Sequence, residues 1–493
     1  MSKISHNLYR AEQVREMDNY VINKLGISGT VLMERAGAAA FELLKKHWPD
    51  AKTITIVCGT GNNAGDGFVM ARLAREEGFN VHVLQVGDAA NLQGDALAAA
   101  QRLQAMDISS VAFTALLCQQ TDVIVDALLG TGLKGNVTGD RHDAIEAINT
   151  SGKPVLALDV PSGLNADNGQ VQGCAIKANA TITFIGNKQG LQVGDAYDYV
   201  GELTFASLSV PLAVYEHTQS SVELINYQSL KSILKPRPRN SHKGDYGHVL
   251  IVGGESGFTG AARMAGEATA RIGAGLVSIA TRQEHAMILN ASRPELMVHG
   301  VDDEKAFHLL SERTNVIAIG PGLGQSDWAK DLLNYAIASG LPLVVDADAL
   351  NLLSANPQKR DNWVLTPHAG EAARMLGKST QEIQADRFAS AQALQDEYGG
   401  LVVLKGTGTL IATVDEHQFL CSDGNPGMAS GGMGDVLTGI IAGLLAQGLN
   451  QLDAACLGVC LHACAGDAAA KAAGERGLLA SDLMSWLRRL ANP

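Results

Sequence analysis

The chain has 493 residues, 46% of them hydrophobic, with 51 acidic side chains against 38 Lys and Arg. That length exceeds one ordinary domain and provides apolar material for two or three cores. The formal net charge of −13 argues against a general nucleic-acid or membrane-surface binder, since both need a basic footprint; local amides and single cations can still hold an anionic small molecule.

The first ten residues lack the apolar core of a signal peptide. Helical periodicity follows over about 11–25 and 29–47, then a β-rich run over 53–58 ends in glycines. A helix over 68–78, strands over 80–86 and 122–126, a helix over 140–149 and a strand over 154–159 continue the alternation. Strands alternating with helices imply an α/β fold with a mostly parallel sheet covered on both faces, where ligands bind beyond the carboxyl ends of the strands.

Three of those strand ends carry chemistry. Gly59-Thr-Gly-Asn-Asn-Ala-Gly-Asp-Gly67 joins the first strand to its helix. Gly59, Gly61 and Ala64 satisfy the loose dinucleotide pattern, but no acidic residue ends the next strand in the usual place, and Asp88 comes late. Asn62, Asn63 and Asp66 add side-chain donors and acceptors that a plain pyrophosphate loop does not need. Asp126 precedes a second glycine-rich loop over Gly130–Asn136, whose amides and Lys134 suit phosphate. Asp159-Val-Pro-Ser-Gly163 sets a third carboxylate beside a turn. Each Asp alone is more often a cap or turn residue; three such loops at neighbouring strand ends favour a site. Oxygens of Asn63, Asp126 and Ser162 also suit a hard monovalent cation, though their spacing does not require one.

These segments, with Leu32-Met-Glu-Arg-Ala-Gly37, resemble the NAD(P)HX epimerase domain over roughly residues 9–215. The resemblance implies a Rossmann-like three-layer domain that interconverts the R and S forms of hydrated NADH and NADPH. It implies substrate contacts at Asn62, Asn63, Ala64, Gly65 and Asp66 and at Gly130, Thr131, Gly132, Leu133, Lys134, Gly135 and Asn136. Asp159 takes substrate contact and acid–base work, and a potassium ion sits near Asn63, Asp126 and Ser162. Ala64 stands where the family has Gly, an added methyl that a negative φ tolerates. The segment Phe184–Gly190 also departs from the family pattern, with Lys188 as a contributor to the site.

The composition changes near residues 215–245, where Lys235-Pro-Arg-Pro-Arg-Asn-Ser-His-Lys243 reads as a linker or lead-in loop. We place the boundary between domains 1–220 and 221–493. A second alternation begins at His248, with strands over 248–254, 277–281, 316–320, 343–346, 363–366 and 401–405. Asp346-Ala-Asp ends one strand and Thr366-Pro-His-Ala-Gly-Glu371 another; His368 gains weight as a ligand contact from Glu371. Lys405-Gly-Thr-Gly-Thr409 reads as a hairpin turn. Gly431-Gly-Met-Gly-Asp435 reads as a tight turn opening an apolar helix, where backbone N–H groups and the helix dipole favour an anion. A carboxylate there suits phosphoryl transfer to an alcohol, the amides holding the phosphoryl oxygens while Asp435 takes the hydroxyl proton. The simpler alternative is a helix cap.

This order of motifs resembles the ADP- or ATP-dependent NAD(P)HX dehydratase domain, of ribokinase-like α/β fold, over roughly residues 225–490. Met433 stands where that family more often has Thr. The resemblance implies that Gly322, His368 and Asp435 contact the hydrated nicotinamide. It places the adenine nucleotide, ADP with Mg2+, on Lys405, Gly406, Thr407, Gly408, Thr409 and Gly434. Asp159 and Asp435 are the expected catalytic residues of a bifunctional repair enzyme. Its expected partners are the small molecules NAD(P)HX and ADP or ATP, with no nucleic acid and no membrane, in a homo-oligomer. A small-alcohol kinase, or a first half that binds nucleotide without turnover, are the rival readings.

No uninterrupted apolar run approaches a membrane span. The seven cysteines are odd in number and scattered, which suggests reduced thiols in the cytoplasm. Cys456, Cys460 and Cys464, with His462 among them, fit one packed helix face better than a metal site.

Overall fold

A computed structural model describes residues 6–133 and 135–493; Lys134, expected in the phosphate-holding loop, lies outside them. The chain divides into two compact units, one ending at Glu223 and the other spanning Leu224–Pro493.

In the first unit a seven-stranded sheet runs in the order Val111–Ala112, Asn80–Gln85, Thr53–Cys58, Val123–Ala127, Val155–Leu158, Ala180–Phe184, Glu202–Ala206. Every described pairing in it is parallel. Connections leave Thr53–Cys58 toward one edge and then reverse to Val123–Ala127, so a crevice opens where the direction switches. Alternation of side chains along the strands makes three layers. Ile54, Ile56 and Cys58 join Phe41, Phe68 and Met70 on one face, while Val57 and Ile124 meet Ile145 and Ile148 on the other. Burial on both faces explains why these strands read as continuous apolar runs.

The first-unit helices Ala11–Asn23, Gly29–His47 and Asp140–Thr150 lie close to their expected bounds. The helix after the first strand does not: it spans Asn62–Glu76 and starts six residues before the expected Phe68. Its glycines serve close packing. A Cβ on Gly67 would lie 2.8 Å from the Ala127 methyl, and one on Gly65 would lie 2.5 Å from Met33 Cε. Asn62 and Asn63 therefore occupy the first helical turn, not a loop. Ala64 is helical and fully buried, and its negative φ tolerates the methyl.

The second unit repeats the plan. Its strands run Met297–Gly300, Leu276–Thr281, His248–Val252, Val316–Ile319, Leu343–Val345, Trp363–Leu365, Leu401–Leu404, Thr409–Ala412, Gln418–Cys421. The sheet is parallel up to Leu401–Leu404, which turns back through Lys405-Gly-Thr-Gly into an antiparallel hairpin with Thr409–Ala412. The direction switches between His248–Val252 and Val316–Ile319. The basic, proline-rich stretch belongs to this unit: the Arg237 guanidinium stacks 3.6 Å from the Tyr246 ring centroid and donates to Gln447 Oε1 at 2.9 Å.

Under the sheet, helix Met433–Ala446 packs on helix Thr259–Ile272 at backbone distance. Gly439 and Gly443, four apart and so on one face, make the approach possible. A Cβ on Gly439 would lie 2.1 Å from the Ala265 carbonyl oxygen. Thr269 Oγ1 donates across the contact to the Gly439 carbonyl at 2.9 Å. Helix Gln451–Ala473 is long and apolar enough to cross a membrane by length and composition, but 67% of its apolar window is buried in the unit as a core helix. Asp453, Asp467 and Lys471 interrupt it.

Gly439→Ala should cost the second unit about 1–3 kcal/mol through overpacking, while Gly448→Ala, whose Cβ meets nothing within 4 Å but whose φ is +91°, should cost only its local backbone strain. Urea denaturation followed through the second unit's transition checks the difference.

Candidate active sites

The first unit holds a cavity of about 560 Å³ at its switch point. Asn62, Asn63 and Asp66 reach it from the helix start, Gly130–Leu133 from the second glycine loop, and Asp159 and Lys188 from the far strands. Ala64 and Gly65 face the packed interior instead, under Cys58 and against Met33. Gly135 and Asn136 lie past the part of the loop that lines the cavity.

Asp159 has φ +63°, a conformation that costs a non-glycine residue energy and concentrates at functional sites. Its Oδ1 accepts from the Phe184 amide at 3.3 Å and from Thr183 Oγ1 at 3.5 Å. Oδ1 also pairs with the Lys188 ammonium, which is 1% exposed and donates to the Phe184 carbonyl at 2.9 Å. All these contacts fall on one oxygen and leave Oδ2 available to substrate. Three further carboxyls, from Asp18, Asp66 and Asp95, line the same cavity. Burial pushes Asp18 up to about 6, with Lys188 opposing and Asp159 adding to the rise. Burial also holds Asp66 well above the usual carboxylate range, reinforced by the charges of Asp159 and Asp18. The site thus combines a carboxylate–ammonium ion pair with two carboxyls whose protonated form burial favours.

Beneath the cavity wall, Asp126 is fully buried. Its carboxylate accepts from Ser162 Oγ at 2.6 Å, the Ser162 amide at 2.8 Å and the Leu128 amide at 3.2 Å. Burial nevertheless raises Asp126 to about 6. Asn63 Nδ2 donates to the carbonyls of Leu129 at 2.6 Å and Leu158 at 3.1 Å, which fixes the amide orientation. Its Oδ1 is buried without a partner among the described residues, an expense that calls for a ligand.

In the second unit, helix Met433–Ala446 opens on Gly432 with φ +91°, a left-handed cap that glycine adopts without steric cost. Gly434 needs to be glycine for space: a Cβ would lie 3.1 Å from Lys405 Nζ and 3.4 Å from Asp346 Oδ2. The Lys405 ammonium sits 2.6 Å from Asp346 Oδ1 and 3.9 Å from Glu371 Oε2. Thr438 Oγ1 donates to Asp346 Oδ2 at 2.8 Å. Burial works to raise Asp346, yet Lys405 and the two hydroxyls outweigh it and hold the carboxyl below its ordinary value.

Asp435 lies over this pair, half-buried and with no hydrogen-bond partner among the described residues. Burial, then the charge of Asp346, pushes it up to about 7, with Lys405 opposing. A base is most effective when its pKa lies near the working pH. His368 caps the next helix: its Nδ1 accepts from the amides of Gly370 at 2.9 Å and Glu371 at 3.2 Å. The neutral ring therefore carries its proton on Nε2. Burial, with Lys405 and Arg374 nearby, lowers its pKa and keeps it neutral. Across the switch point, the Glu255 amide donates to the Gly322 carbonyl at 2.7 Å, interlocking the two glycine turns.

Residues 29–190 match the family model described as YjeF-related protein N-terminus, and residues 249–489 match the model described as NAD(P)H-hydrate dehydratase. The chain is 49% identical to a bifunctional NAD(P)H-hydrate repair enzyme of Coxiella burnetii over 99% of both chains. It is 44% identical to the Escherichia coli enzyme of that name, over 99% of this chain and 95% of the relative.

The chain belongs to the bifunctional NAD(P)H-hydrate repair enzyme family.

A ribokinase-like superfamily protein from Enterococcus faecalis superposes with a TM-score of 0.51 at 32% identity, covering 55% of this chain and 95% of its own. The second unit is therefore ribokinase-like, and the first has the strand order of a Rossmann-like sheet.

Several members of the two sites escaped the sequence reading. Asp18 comes from the first helix and gives no motif. Arg387 is 1% exposed and shapes the hairpin from within: its Nη2 donates to the carbonyls of Leu404 at 3.1 Å, Lys405 at 3.3 Å and Gly408 at 3.2 Å. Asp346 stood out as a strand-end residue without a role. The Lys405 side chain, assigned to nucleotide, turns inward to Asp346, while Gly406 and Thr407 form the exposed tip of the turn and Gly408 is buried.

Lys405→Met should destabilise the second unit by about 3–5 kcal/mol, because it leaves Asp346 buried and unpaired. The lowered pKa of Asp346 means that its pair stabilises the fold above the ordinary Asp value and loses that contribution as pH falls. The deficit of Lys405→Met should therefore shrink on acidification, which denaturation of both proteins across pH checks.

Proposed function

We propose that the first unit epimerises R- and S-NAD(P)HX and that the second dehydrates the S form to NAD(P)H with ADP, giving AMP and phosphate. The observation that carries the second half is the position of Asp435, in the first turn of a helix capped by Gly432 and beside the Lys405–Asp346 pair, where burial and the Asp346 charge push its carboxyl up to about 7. Hydroxide is a poor leaving group. Asp435 takes the proton of the C6 hydroxyl as its oxygen attacks the β-phosphoryl group. The ring nitrogen lone pair then expels phosphate, and loss of the C5 proton restores the double bond. His368, with its proton on Nε2, donates to the substrate, and the Gly322 turn supports the dihydropyridine. The turn at Gly406–Thr409 and the Gly434 amide hold the nucleotide. Mg2+ supplies charge neutralisation on the phosphates when bound.

In the first unit, epimerisation requires the C6 hydroxyl to leave as water and water to return on the opposite face. Asp159 suits the base that accepts the proton of the incoming water. Asp66, which burial holds well above the usual carboxylate range, suits the acid that protonates the leaving hydroxyl, with Asp18, raised to about 6, beside it. Potassium fits the buried oxygens beneath: Asn63 Oδ1 lacks a partner, and Asp126 and Ser162 offer hard oxygens beside it. Its charge would offset that of Asp126 and fix the Ser162 turn. The two activities complement each other, since a stereospecific dehydratase alone leaves the R epimer unrepaired. The small molecules this chemistry requires are NAD(P)HX and ADP or ATP.

Chromatography of hydrated NADH separates the two activities. Asp435→Asn should lower nucleotide-dependent repair by about 10²–10⁴-fold and leave R/S exchange intact, whereas Asp159→Ala should do the reverse. Normal repair by Asp435→Asn would eliminate it as the base. The wild-type repair rate should fall as pH drops below about 7, because Asp435 must be ionised to accept a proton. Substituting ATP for ADP in the same assay tests the nucleotide. Potassium should raise the melting temperature of the first unit more than sodium at equal ionic strength, and Asn63→Leu should remove that difference.

A further inference from the structure

A second cluster of ligating side chains lies in the first unit, separate from the cavity. Helix Asp140–Thr150 places His142 and Glu146 four residues apart, on one face. Cys174, 8% exposed, approaches them from the segment that packs against this helix. One ligand atom from each of the three lies within 4.8 Å of the others. Tetrahedral ligands at zinc distances sit about 3.3–3.8 Å apart, so small rotations of the solvent-accessible His142 and Glu146 side chains close the set. His142 Nδ1 is 3.3 Å from Asp143 Oδ1, which directs Nε2 outward as the ligand, the usual second partner of a metal-bound imidazole.

We propose that His142, Glu146 and Cys174 bind a zinc ion, with water as the fourth ligand. The ligand types select the class of metal: imidazole, carboxylate and thiolate together suit a borderline cation and do not suit magnesium or potassium. The thiol must lose its proton to ligate. Burial, reinforced by the Glu146 carboxylate, raises the Cys174 thiol; a cation between the two groups reverses that balance. Binding expels the thiol proton, so affinity rises with pH.

The site ties two structural parts together. Gly163, at φ +95°, lies so close to the segment that a Cβ there would be 1.9 Å from the Cys174 carbonyl oxygen. The Ile176 amide donates to the Ser162 carbonyl at 2.9 Å. Asn149 braces the same segment, accepting from the Lys177 amide and donating to the Ala175 carbonyl, both at 2.9 Å. An ion here would clamp the helix to the strip that backs the Ser162 turn.

The test uses the full-length chain, stripped of metal by a chelator and titrated with Co2+, then with Zn2+. One Co2+ per chain should bind with a sulfur-to-cobalt charge-transfer band that Zn2+ abolishes and that strengthens from pH 6 to 8. Cys174→Ser should lose the band. His142→Ala and Glu146→Gln should weaken Co2+ binding by at least about tenfold, since even second-shell partners are worth that much. Cys464→Ser, which alters the most exposed of the free thiols, should retain the band. Absence of a sulfur–cobalt band, its survival in Cys174→Ser, or its loss in Cys464→Ser overturns the proposal. Circular dichroism of each variant establishes that it is folded.

Discussion

The second unit depends on one buried ammonium. Lys405 lies among Asp346, Glu371 and Asp435, and Asp348 adds a further negative charge to the field at Asp435. One cation cannot neutralise all of them. Asp346 is nearest and keeps the lowest pKa of the set, its second oxygen tied to Thr438. The deficit falls on the groups farther out: burial raises Glu371, and burial with the Asp346 charge raises Asp435. The shortage of positive charge thus raises the proton affinity of Asp435, the proposed base. The same contacts set its position, because Asp346 ends a strand while Thr438 belongs to the helix that carries Asp435.

The first unit solves a related problem with the same materials. Lys188 is buried among Asp159, Asp66 and Asp18, and there too the nearest carboxylate takes the ion pair while the others are raised. Both clusters gather at the carboxyl ends of parallel strands, the side of such a sheet where ligands bind. Burying one lysine among several acids is costly for stability. In each unit the cost produces a pair of neighbouring groups with different proton affinities, which acid–base chemistry requires.

Short segments that carry both a strand and its following turn were legible. The runs ending at Cys58, Asp126, Asp159 and Asp346 put apolar β residues directly before glycine or a carboxylate, so the local pattern named both the element and the residue at its end. Partnership across the sequence was not legible. Lys188 reaches Asp159 from 29 residues away and Lys405 reaches Asp346 from 59, and no periodicity encodes such contacts. The helix start at Asn62 was misplaced because glycine in isolation disfavours helix, whereas here Gly65 and Gly67 are required by the contact with Met33 and Ala127. Arg387 was invisible for a related reason: its helix has no clear apolar face in sequence, and the carbonyls it gathers arise only when the hairpin folds back. The edge strand Met297–Gly300 and the strand Glu202–Ala206, only partly buried, lack the continuous apolar run that marked the central strands.

Backbone strain shows how firmly the two sites are held. Among the described non-glycine residues, Asp159, Ile185 and Ala347 have φ values of +63°, +61° and +49°. Ile185 is the extreme case, since a β-branched side chain rarely adopts this region. Each such residue costs about 1–3 kcal/mol, and each adjoins a strand end that carries a carboxylate or closes around one. The sheets supply the restraint. The Asp159 amide donates to the Ile182 carbonyl at 2.7 Å, the Ile185 amide to Ala206 at 2.9 Å, and the Asp346 amide, next to Ala347, to Ile319 at 3.0 Å. These bonds fix the backbone from neighbouring strands, so the carboxylates need no ligand to orient them. A base held this way spends no substrate binding energy on its own alignment, and that energy remains available to distinguish the transition state from the ground state.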